Sequence, residues 1–289
     1  MANLTPQTAD EAVARLDATV VTNSRGQAAP RHTLPMGADA LDPRSDTAIW
    51  WLGGAGILVN AHGTTLMIDP VLGGFDMPVL FEAPITPEDV PELDALLITH
   101  IDNDHFSRLT TKALLGSCRS YHAPAYVAEV MRGEGIDGTG HAIDETFTIE
   151  GAGGTVSARL TPVWHNWQNG SKKWAYREWK REDYCGFWLD TPDGTIWLPG
   201  DSKLLPEHLE MPQPDLILLD FSDNEWHITF EGAVRLANAY PEARLLCIHW
   251  GTVDAPDWTT FNGDPRELAR HVVNPERVLA PLPGEPVVL

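Results

Sequence analysis

The sequence predicts an α+β protein in which two packed β-sheets carry helices on their outer faces. Short runs of β-branched and aromatic residues predict strands, and amphipathic segments between them predict short helices. Glycines and prolines separate these segments, and no unit of about 20–50 residues repeats. A chain of 289 residues is long enough to bury a sizeable core, so one large layered domain is expected.

Residues 1–45 are expected to form an N-terminal arm on the surface of a main domain that spans 46–289. A short helix is predicted from apolar residues at near-helical spacing, namely Ala9, Val13, Leu16 and Val20. Thr8 is a suitable cap for this helix. The following stretch contains glycine, proline and serine, which favours irregular structure.

The main domain alternates predicted strands and helices. Strands are predicted, in chain order, at 47–52, 57–60, 64–69, 95–99, 145–150, 155–164, 185–190, 194–199, 215–220 and 244–250. Helices are predicted at 107–115, 124–132, 229–240 and 265–273. The first three strands are expected to be antiparallel neighbours, and a Pro-Asp-Gly turn joins 185–190 to 194–199. The apolar runs 95–99 and 215–220 predict buried strands.

The composition limits the classes of partner. A formal net charge of −21 repels phosphate backbones and anionic lipid, so neither nucleic acid nor a membrane surface is expected as the main partner. The 43% hydrophobic content is typical of a globular protein. A small-molecule substrate is therefore the expected partner, and formation of homo-oligomers stays open.

The cysteines and the N-terminal sequence favour the cytoplasm as the default location. Cys118, Cys185 and Cys247 are odd in number and lack regular spacing, which argues against a disulfide framework. The first residues show no basic start followed by an apolar run, so no signal peptide is recognised. No apolar stretch approaches the roughly 18 residues that a membrane-spanning helix needs.

The segment that points to chemistry is LLITHIDNDHFS. A short apolar strand is followed within six residues by four side chains that bind divalent cations, His100, Asp102, Asp104 and His105. On a tight loop these side chains can converge, and without a cation so close a grouping of charges and rings would be costly. A solvated polar loop is the alternative interpretation of this segment alone.

Three later residues strengthen the metal hypothesis because each lies at the end of a predicted strand or directly after it. His165 follows the strand at 155–164, Asp201 follows IWLPG, and His249 lies in LLCIHWGT. A single buried histidine is more often a structural group than a ligand. Three such residues in this order after the first cluster are difficult to explain as structural residues alone.

The order of these motifs resembles the metallo-β-lactamase superfamily over roughly residues 47–280. The segments WLGGAGILV, IDPVL and HWGT are similar to the branch of L-ascorbate-6-phosphate lactonase and N-acyl-phosphatidylethanolamine phospholipase D. The resemblance implies a four-layer αβ/βα sandwich and a hydrolase domain at 46–289. It also implies two divalent metal ions, one on His100, Asp102 and His165 and one on Asp104, His105 and His249, with Asp201 bridging both.

One residue departs from the family's His-x-His-x-Asp-His motif. Its second histidine is replaced here by Asp102. A carboxylate still coordinates but is a harder, negatively charged ligand, which could favour manganese or iron over zinc. Metal identity therefore stays open between zinc, manganese and iron.

The implied mechanism is attack by a metal-bound hydroxide on a carbonyl or phosphoryl centre. Asp104 and Asp201 would orient the nucleophile, and His227 could protonate a leaving group or bind an oxyanion. A helix-cap or surface role is the alternative for His227. Asp69 in MIDP is expected to accept a hydrogen bond from a ligand imidazole. The chain shows neither a Gly-x-Ser-x-Gly motif nor a phosphate-binding P-loop.

The segment after His165 combines tryptophans with basic residues, which would suit an anionic or aromatic substrate if it lay over the metals. The alternative is a hairpin whose tryptophans pack on the core. The candidate substrate-binding residues are Trp167, Lys172, Lys173, Arg177 and Lys203. We expect hydrolysis of a lactone or ester of a small, anionic substrate. The alternatives are a phosphodiesterase at the same dinuclear site, and a non-hydrolytic iron oxidoreductase or metal-retaining binding protein.

Overall fold

The computed structural model describes residues 5–289 and contains two seven-stranded sheets. The strands are β1 (Val20–Thr22), β2 (Ala28–Pro30), β3 (Thr47–Gly53), β4 (Gly56–Ala61), β5 (Thr64–Ile68), β6 (Ala95–Leu97), β7 (Tyr121–Pro124), β8 (Gly138–His141), β9 (Thr146–Gly151), β10 (Gly154–Thr161), β11 (Gly186–Thr191), β12 (Gly194–Leu198), β13 (Leu216–Asp220), β14 (Arg244–Ile248), β15 (Val278–Leu279) and β16 (Pro286–Val288). The helices are α1 (Ala9–Leu16), α2 (Arg108–Ala113), α3 (Ala125–Gly133), α4 (Phe230–Ala239) and α5 (Pro265–His271).

The two large sheets share one pattern of pairing. The first has the order β16-β3-β4-β5-β6-β7-β8 and the second the order β15-β14-β13-β12-β11-β10-β9. In the first, β16 through β5 pair antiparallel and β5 through β8 pair parallel. In the second, β9 through β12 pair antiparallel and β12 through β15 pair parallel. The predicted antiparallel arrangement of the first three strands is confirmed.

The core has two layers, which explains why the central strands are apolar on both faces. Along β3, Ile49 and Trp51 belong to the core between the sheets, whereas Trp50 and Leu52 belong to the core beneath α2 and α3. Successive side chains of a strand point to opposite faces, so β3 contributes to both layers. The predicted α+β sandwich is therefore confirmed.

The N-terminal region packs against the main domain rather than standing apart from it. The side chain of Thr8 accepts a hydrogen bond from the Glu11 backbone amide, and Glu11 bonds back to Thr8, which caps α1 as predicted. Ala12 and Leu16 of α1 are buried in the core between the sheets. Strands β1, β2, β7, β8, β15 and β16 were not predicted, since they are short and contain glycine or proline or lack an apolar run. Val20 was predicted to belong to the N-terminal helix but lies in β1, because α1 ends at Leu16. Among the described residues, no helix is long and apolar enough to cross a membrane.

Candidate metal centre

The predicted ligands lie where strands of both sheets end. Thr99 and His100 follow β6, and the residues that end or follow strands of the second sheet are His165, Asp201, Asp220 and His249. The carboxyl ends of parallel strands in α/β and mixed sheets commonly carry ligand sites. The fold thus brings side chains from distant parts of the chain to one edge.

A tight turn positions the first cluster between β6 and α2. The backbone amides of His105 and Phe106 both donate to the carbonyl oxygen of Asp102, at 3.0 and 2.7 Å. Ser107 then caps α2. This turn replaces regular strand geometry, in which neighbouring side chains would point to opposite faces. His100, Asp102 and His105 are consequently all buried at the same site.

One group of side chains could hold a first ion. Ligand atoms of His100, His165 and Asp201 all lie within 4.8 Å of one another. Asp102 Oδ2 lies 3.3 Å from His100 Nε2 and 3.4 Å from His165 Nε2. His100 Nε2 is buried without a hydrogen-bond partner among the described residues. Buried polar atoms are rarely left unpaired, so this nitrogen fits a metal ligand.

A second group lies beside the first and meets it at Asp201. Ligand atoms of Asp104, His105 and His249 also fall within 4.8 Å of one another. Asp201 Oδ2 is 3.0 Å from His105 Nε2 and 3.6 Å from His249 Nε2. Asp201 therefore lies near both groups, which is the place a bridging carboxylate would occupy.

The donor set and its spacing fit divalent ions. The two groups supply imidazole nitrogens and carboxylate oxygens, which bind zinc, manganese and iron. Metal–ligand bonds of about 2.0–2.1 Å in a tetrahedral site place neighbouring ligand atoms roughly 3.3–3.4 Å apart. The distance of 3.4 Å between His249 Nε2 and Asp104 Oδ2 agrees with that spacing.

Two residues of the site have a backbone conformation that glycine usually adopts. Asp69 has φ of 46° and His249 has φ of 60°. The His249 backbone amide donates to the Gly54 carbonyl at 2.8 Å, and the Asp69 amide donates to the Leu97 carbonyl at 3.0 Å. Strained backbone of this kind tends to occur at functional sites, where surrounding contacts hold it in place.

Without metal, the pKa values of several side chains in the site are shifted from their usual values. Burial alone would lower the pKa of His249, but the charge of Asp201 and a hydrogen bond to Asp104 raise that pKa to about 9. Burial would raise the pKa of Asp201, yet the neighbouring imidazoles, His105 first, hold it well below its usual value. Burial lowers the pKa of His100, which favours its neutral, metal-binding form. The carboxylates thus stay ionised, as ligation requires.

Residues behind the ligands orient their rings. Asp69 Oδ2 lies 2.8 Å from His105 Nδ1, in the position expected from the sequence, and Asp69 Oδ1 accepts the Thr99 amide at 2.8 Å. His165 Nδ1 lies 2.9 Å from the carbonyl oxygen of Trp226. These contacts on Nδ1 leave the Nε2 atoms of His105 and His165 available for metal ligation.

Asp102 is contacted by two side chains from the segment that follows His165. Trp167 Nε1 donates to Asp102 Oδ2 at 2.7 Å, and Gln168 Nε2 donates to Asp102 Oδ1 at 2.7 Å. The hydroxyl of Tyr184 donates to Gln168 Oε1 at 2.6 Å, which fixes the orientation of the amide. Gln168 is fully buried. A histidine at position 102 could not accept both of these hydrogen bonds.

His227 belongs to a second carboxylate–imidazole pair that sequence reasoning found only in part. Its Nδ1 lies 2.6 Å from Asp220 Oδ2, and its Nε2 lies 3.7 Å from Asp201 Oδ2. Asp220 was not predicted, although its position at the end of the strand-forming run LILLD resembles that of the predicted ligands. His227 is buried beside the metal ligands rather than exposed on the surface.

A cavity of about 520 Å³ opens over both groups of ligands. Its wall includes Asp102, Asp104, His165, Asp201 and His227. Five aromatic residues also line it: Phe75, Trp167, Trp226, Trp258 and Phe261. Cavities of about 300–1,000 Å³ are typical of sites for small molecules.

The predicted substrate-binding residues do not all lie at this cavity. Of the five, only Trp167 is among the described residues that line it. Lys203 Nζ lies 5.0 Å from the ring of the lining residue Trp226. Lys172 and Lys173 are exposed in a short 3-10 turn. Arg177 lies over the Tyr126 ring and pairs with Asp183, which places it in the packing of the segment.

Comparison with known proteins identifies the family of this chain. The model of the beta-lactamase superfamily domain family matches residues 64–250, more than half of the chain. The N-acyl-phosphatidylethanolamine-hydrolyzing phospholipase D 1 of Caenorhabditis elegans is 24% identical over 82% of this chain and 72% of its own length. A UPF0173 metal-dependent hydrolase of Pyrococcus furiosus is 23% identical over 83% of this chain and 99% of its own.

A solved structure shows the same fold. Igni18, a metallo hydrolase from Ignicoccus hospitalis, aligns with a TM-score of 0.65 and 19% identity over 85% of this chain and 99% of its own. The chain therefore belongs to the beta-lactamase superfamily and is a metal-dependent hydrolase with the metallo-β-lactamase fold.

Proposed function

We propose that this hydrolase cleaves a lactone or ester bond of a small, anionic substrate with two divalent metal ions. The proposed ligands are His100, Asp102, Asp104, His105, His165, Asp201 and His249. The observation that carries the proposal is the pair of ligand groups that meet at Asp201. His100 Nε2, which is buried and has no hydrogen-bond partner among residues 5–289, supports it further.

Divalent ions at such a site lower the pKa of water and polarise a carbonyl or phosphoryl oxygen. Zinc suits the imidazoles, whereas manganese or iron would suit the added carboxylate of Asp102. Asp104 and Asp201 would accept hydrogen bonds from the attacking water and so orient it. Both side chains line the cavity, where a substrate carbonyl could approach.

His227 is the proposed proton carrier. Its Nδ1 is occupied by Asp220, and the residue lines the cavity. Nε2 is therefore the nitrogen that can exchange a proton with the substrate. An imidazole whose second nitrogen is hydrogen-bonded to a carboxylate is a suitable general acid–base group because its ring is oriented and its protonated form is stabilised. In this role His227 would donate a proton to the leaving oxygen.

The preference for an anionic substrate is supported by a cation beside the aromatic wall of the larger cavity. Lys203 lies over Trp226, and Trp167 lies on the wall beside Asp102. We propose these two residues as substrate-binding groups. Lys172, Lys173 and Arg177 would act only indirectly, through the field of the surface.

Phosphodiester cleavage is the second candidate, and a specific similarity favours it. The Caenorhabditis elegans relative is named as a phospholipase D that hydrolyses N-acyl-phosphatidylethanolamine. A two-metal site can stabilise the attacking and leaving oxygens at phosphorus as well as at carbon. The same residues would then catalyse cleavage of a phosphodiester bond in place of an ester bond.

Metal-resolved activity profiling tests the proposal. The protein is stripped of metal, zinc, manganese or iron is restored separately, and lactones, esters and phosphodiesters are assayed. We expect turnover of a lactone or ester only after metal is restored. His249→Ala and Asp201→Ala should each abolish turnover in a folded protein, whereas His271→Ala, on the exposed side of α5, should leave it unchanged. Near-normal rates in either ligand variant would refute the mechanism.

A further inference from the structure

A smaller apolar chamber of about 230 Å³ adjoins the metal centre on the side of Asp104 and His249. Apart from those two residues and Thr252, its described lining is glycine and apolar side chains, among them Gly53, Val71, Phe75, Met77, Phe81 and Phe261. Phe75, Met77 and Phe261 also line the larger cavity. The two spaces are therefore neighbours that share an aromatic and thioether wall.

Two loops contribute to this chamber an apolar cluster that belongs to neither main core. Val253, Ala255 and Phe261 form a separate cluster with Phe75 and Met77 packed against it. Two backbone hydrogen bonds hold the loops together, from Leu80 N to Thr252 O and from Asp254 N to Pro78 O, both at 2.8 Å. This part of the apolar wall is thus formed by the two loops, whereas Leu72 of the wall belongs to the core beneath α2 and α3.

Gly53 forms another part of the chamber wall. Its φ of 94° favours glycine, and a Cβ added there would lie 2.0 Å from the Phe81 ring. The missing side chain therefore allows the aromatic ring to lie against the backbone. Gly54 accepts the His249 amide, so the same turn also positions a ligand.

We infer that the substrate carries an apolar group, aliphatic or aryl, that occupies this chamber while its reacting bond lies over the metal ligands. This inference rests on the proposed function and names its substrate class more closely. The chamber joins the metal centre at Asp104 and His249, so a group attached directly to the reacting carbonyl would reach it. Apolar walls gain free energy when an apolar ligand displaces water from them.

Chain-length dependence tests the inference. With the metal-loaded protein and p-nitrophenyl esters from acetate to octanoate, kcat/KM should rise about fourfold for each methylene buried until the chamber is full. Val71→Phe should shorten the preferred chain because it fills the chamber, and Met77→Ala should lengthen it. Val288→Phe, an exposed position on β16, is the matched control and should leave the preference unchanged.

Two outcomes would overturn the inference. One is a rate that does not depend on chain length, and the other is a uniform loss on all esters in Val71→Phe. Binding of the free carboxylates from acetate to octanoate, measured by calorimetry on the metal-loaded protein, gives a second readout. Affinity that increases with chain length would support the chamber even if no ester is cleaved, a result that would refute the proposed function alone. Affinity that stays constant would overturn the inference.

Discussion

Gln168→Leu is expected to weaken metal binding without unfolding the protein. The substitution removes the hydrogen bond of 2.7 Å to Asp102 Oδ1 and leaves the Tyr184 hydroxyl without its acceptor. A hydrogen bond to a charged group contributes about 1.5–3 kcal/mol, which corresponds to roughly tenfold to hundredfold in affinity. Loss of a group that orients a metal ligand has a similar effect, about 10–100-fold.

Chelator competition and elemental analysis of the dialysed protein measure this effect. One of two bound ions should be lost at lower chelator concentration in Gln168→Leu than in the unaltered protein. Gln213→Leu removes an exposed glutamine far from Asp102 in the chain and should bind metal normally. Thermal unfolding in the absence of metal separates a folding defect from a binding defect.

A double variant distinguishes a role through Asp102 from a general packing role. In an Asp102→His background there is no carboxylate for Gln168 to contact, so Gln168→Leu should cost little further metal affinity. Equal losses in both backgrounds would show that Gln168 acts through packing. Unchanged metal affinity in the single variant would refute the reasoning altogether.

Three further predictions concern the site and the core. In the metal-free protein, His249 has a pKa raised to about 9, so its contribution to stability is complete below about pH 6.5 and is lost as pH rises through 9. Denaturant unfolding should show that the free energy of unfolding decreases over this range, and His249→Gln should make the decrease smaller. A free energy of unfolding that rises over this range would contradict the prediction. Asp69→Asn should lower metal affinity about 10–100-fold because Asp69 orients His105 by a contact of 2.8 Å; equal affinity by chelator competition would count against this role. Leu218→Ala, fully buried on β13, should lower the free energy of unfolding by about 2–5 kcal/mol while metal content stays normal; a decrease of less than about 1 kcal/mol in urea unfolding would contradict the packing described.

The strands that could be predicted from the sequence are those with a local apolar run. The runs TAIWWL and DLILLD are short, apolar and bounded by turn residues, so their burial in the structure follows from composition. Strands β15 and β16 have two and three residues, and prolines interrupt the region around them. Their place in the sheets depends on long-range pairing, as in Val287 with Ile49, which a local pattern does not encode.

The residues of the site also fall into those that could be predicted from the sequence and those that could not. His100, Asp102, Asp104 and His105 are close in sequence and were recognisable as a cluster. Gln168 and Asp220 were missed because an isolated glutamine or a strand-end aspartate has many ordinary roles. Their function follows from contacts across the fold, to Asp102 and to His227. The ion pair between Arg177 and Asp183 could not be predicted from the sequence either.

The separation of the ligands along the chain has a consequence for biosynthesis. Asp104 and His249 lie 145 positions apart yet meet at the same ion position. A ribosome releases the cluster from His100 to His105 long before it polymerises His249, so the emerging polypeptide would hold an incomplete set of the proposed ligands for about half of its translation. If two ions bind as proposed, capture of the ion between Asp104 and His249 would follow docking of the two sheets, and contacts of such long range make folding slow. Ion uptake in a refolding experiment should accordingly coincide with the last kinetic phase rather than precede collapse.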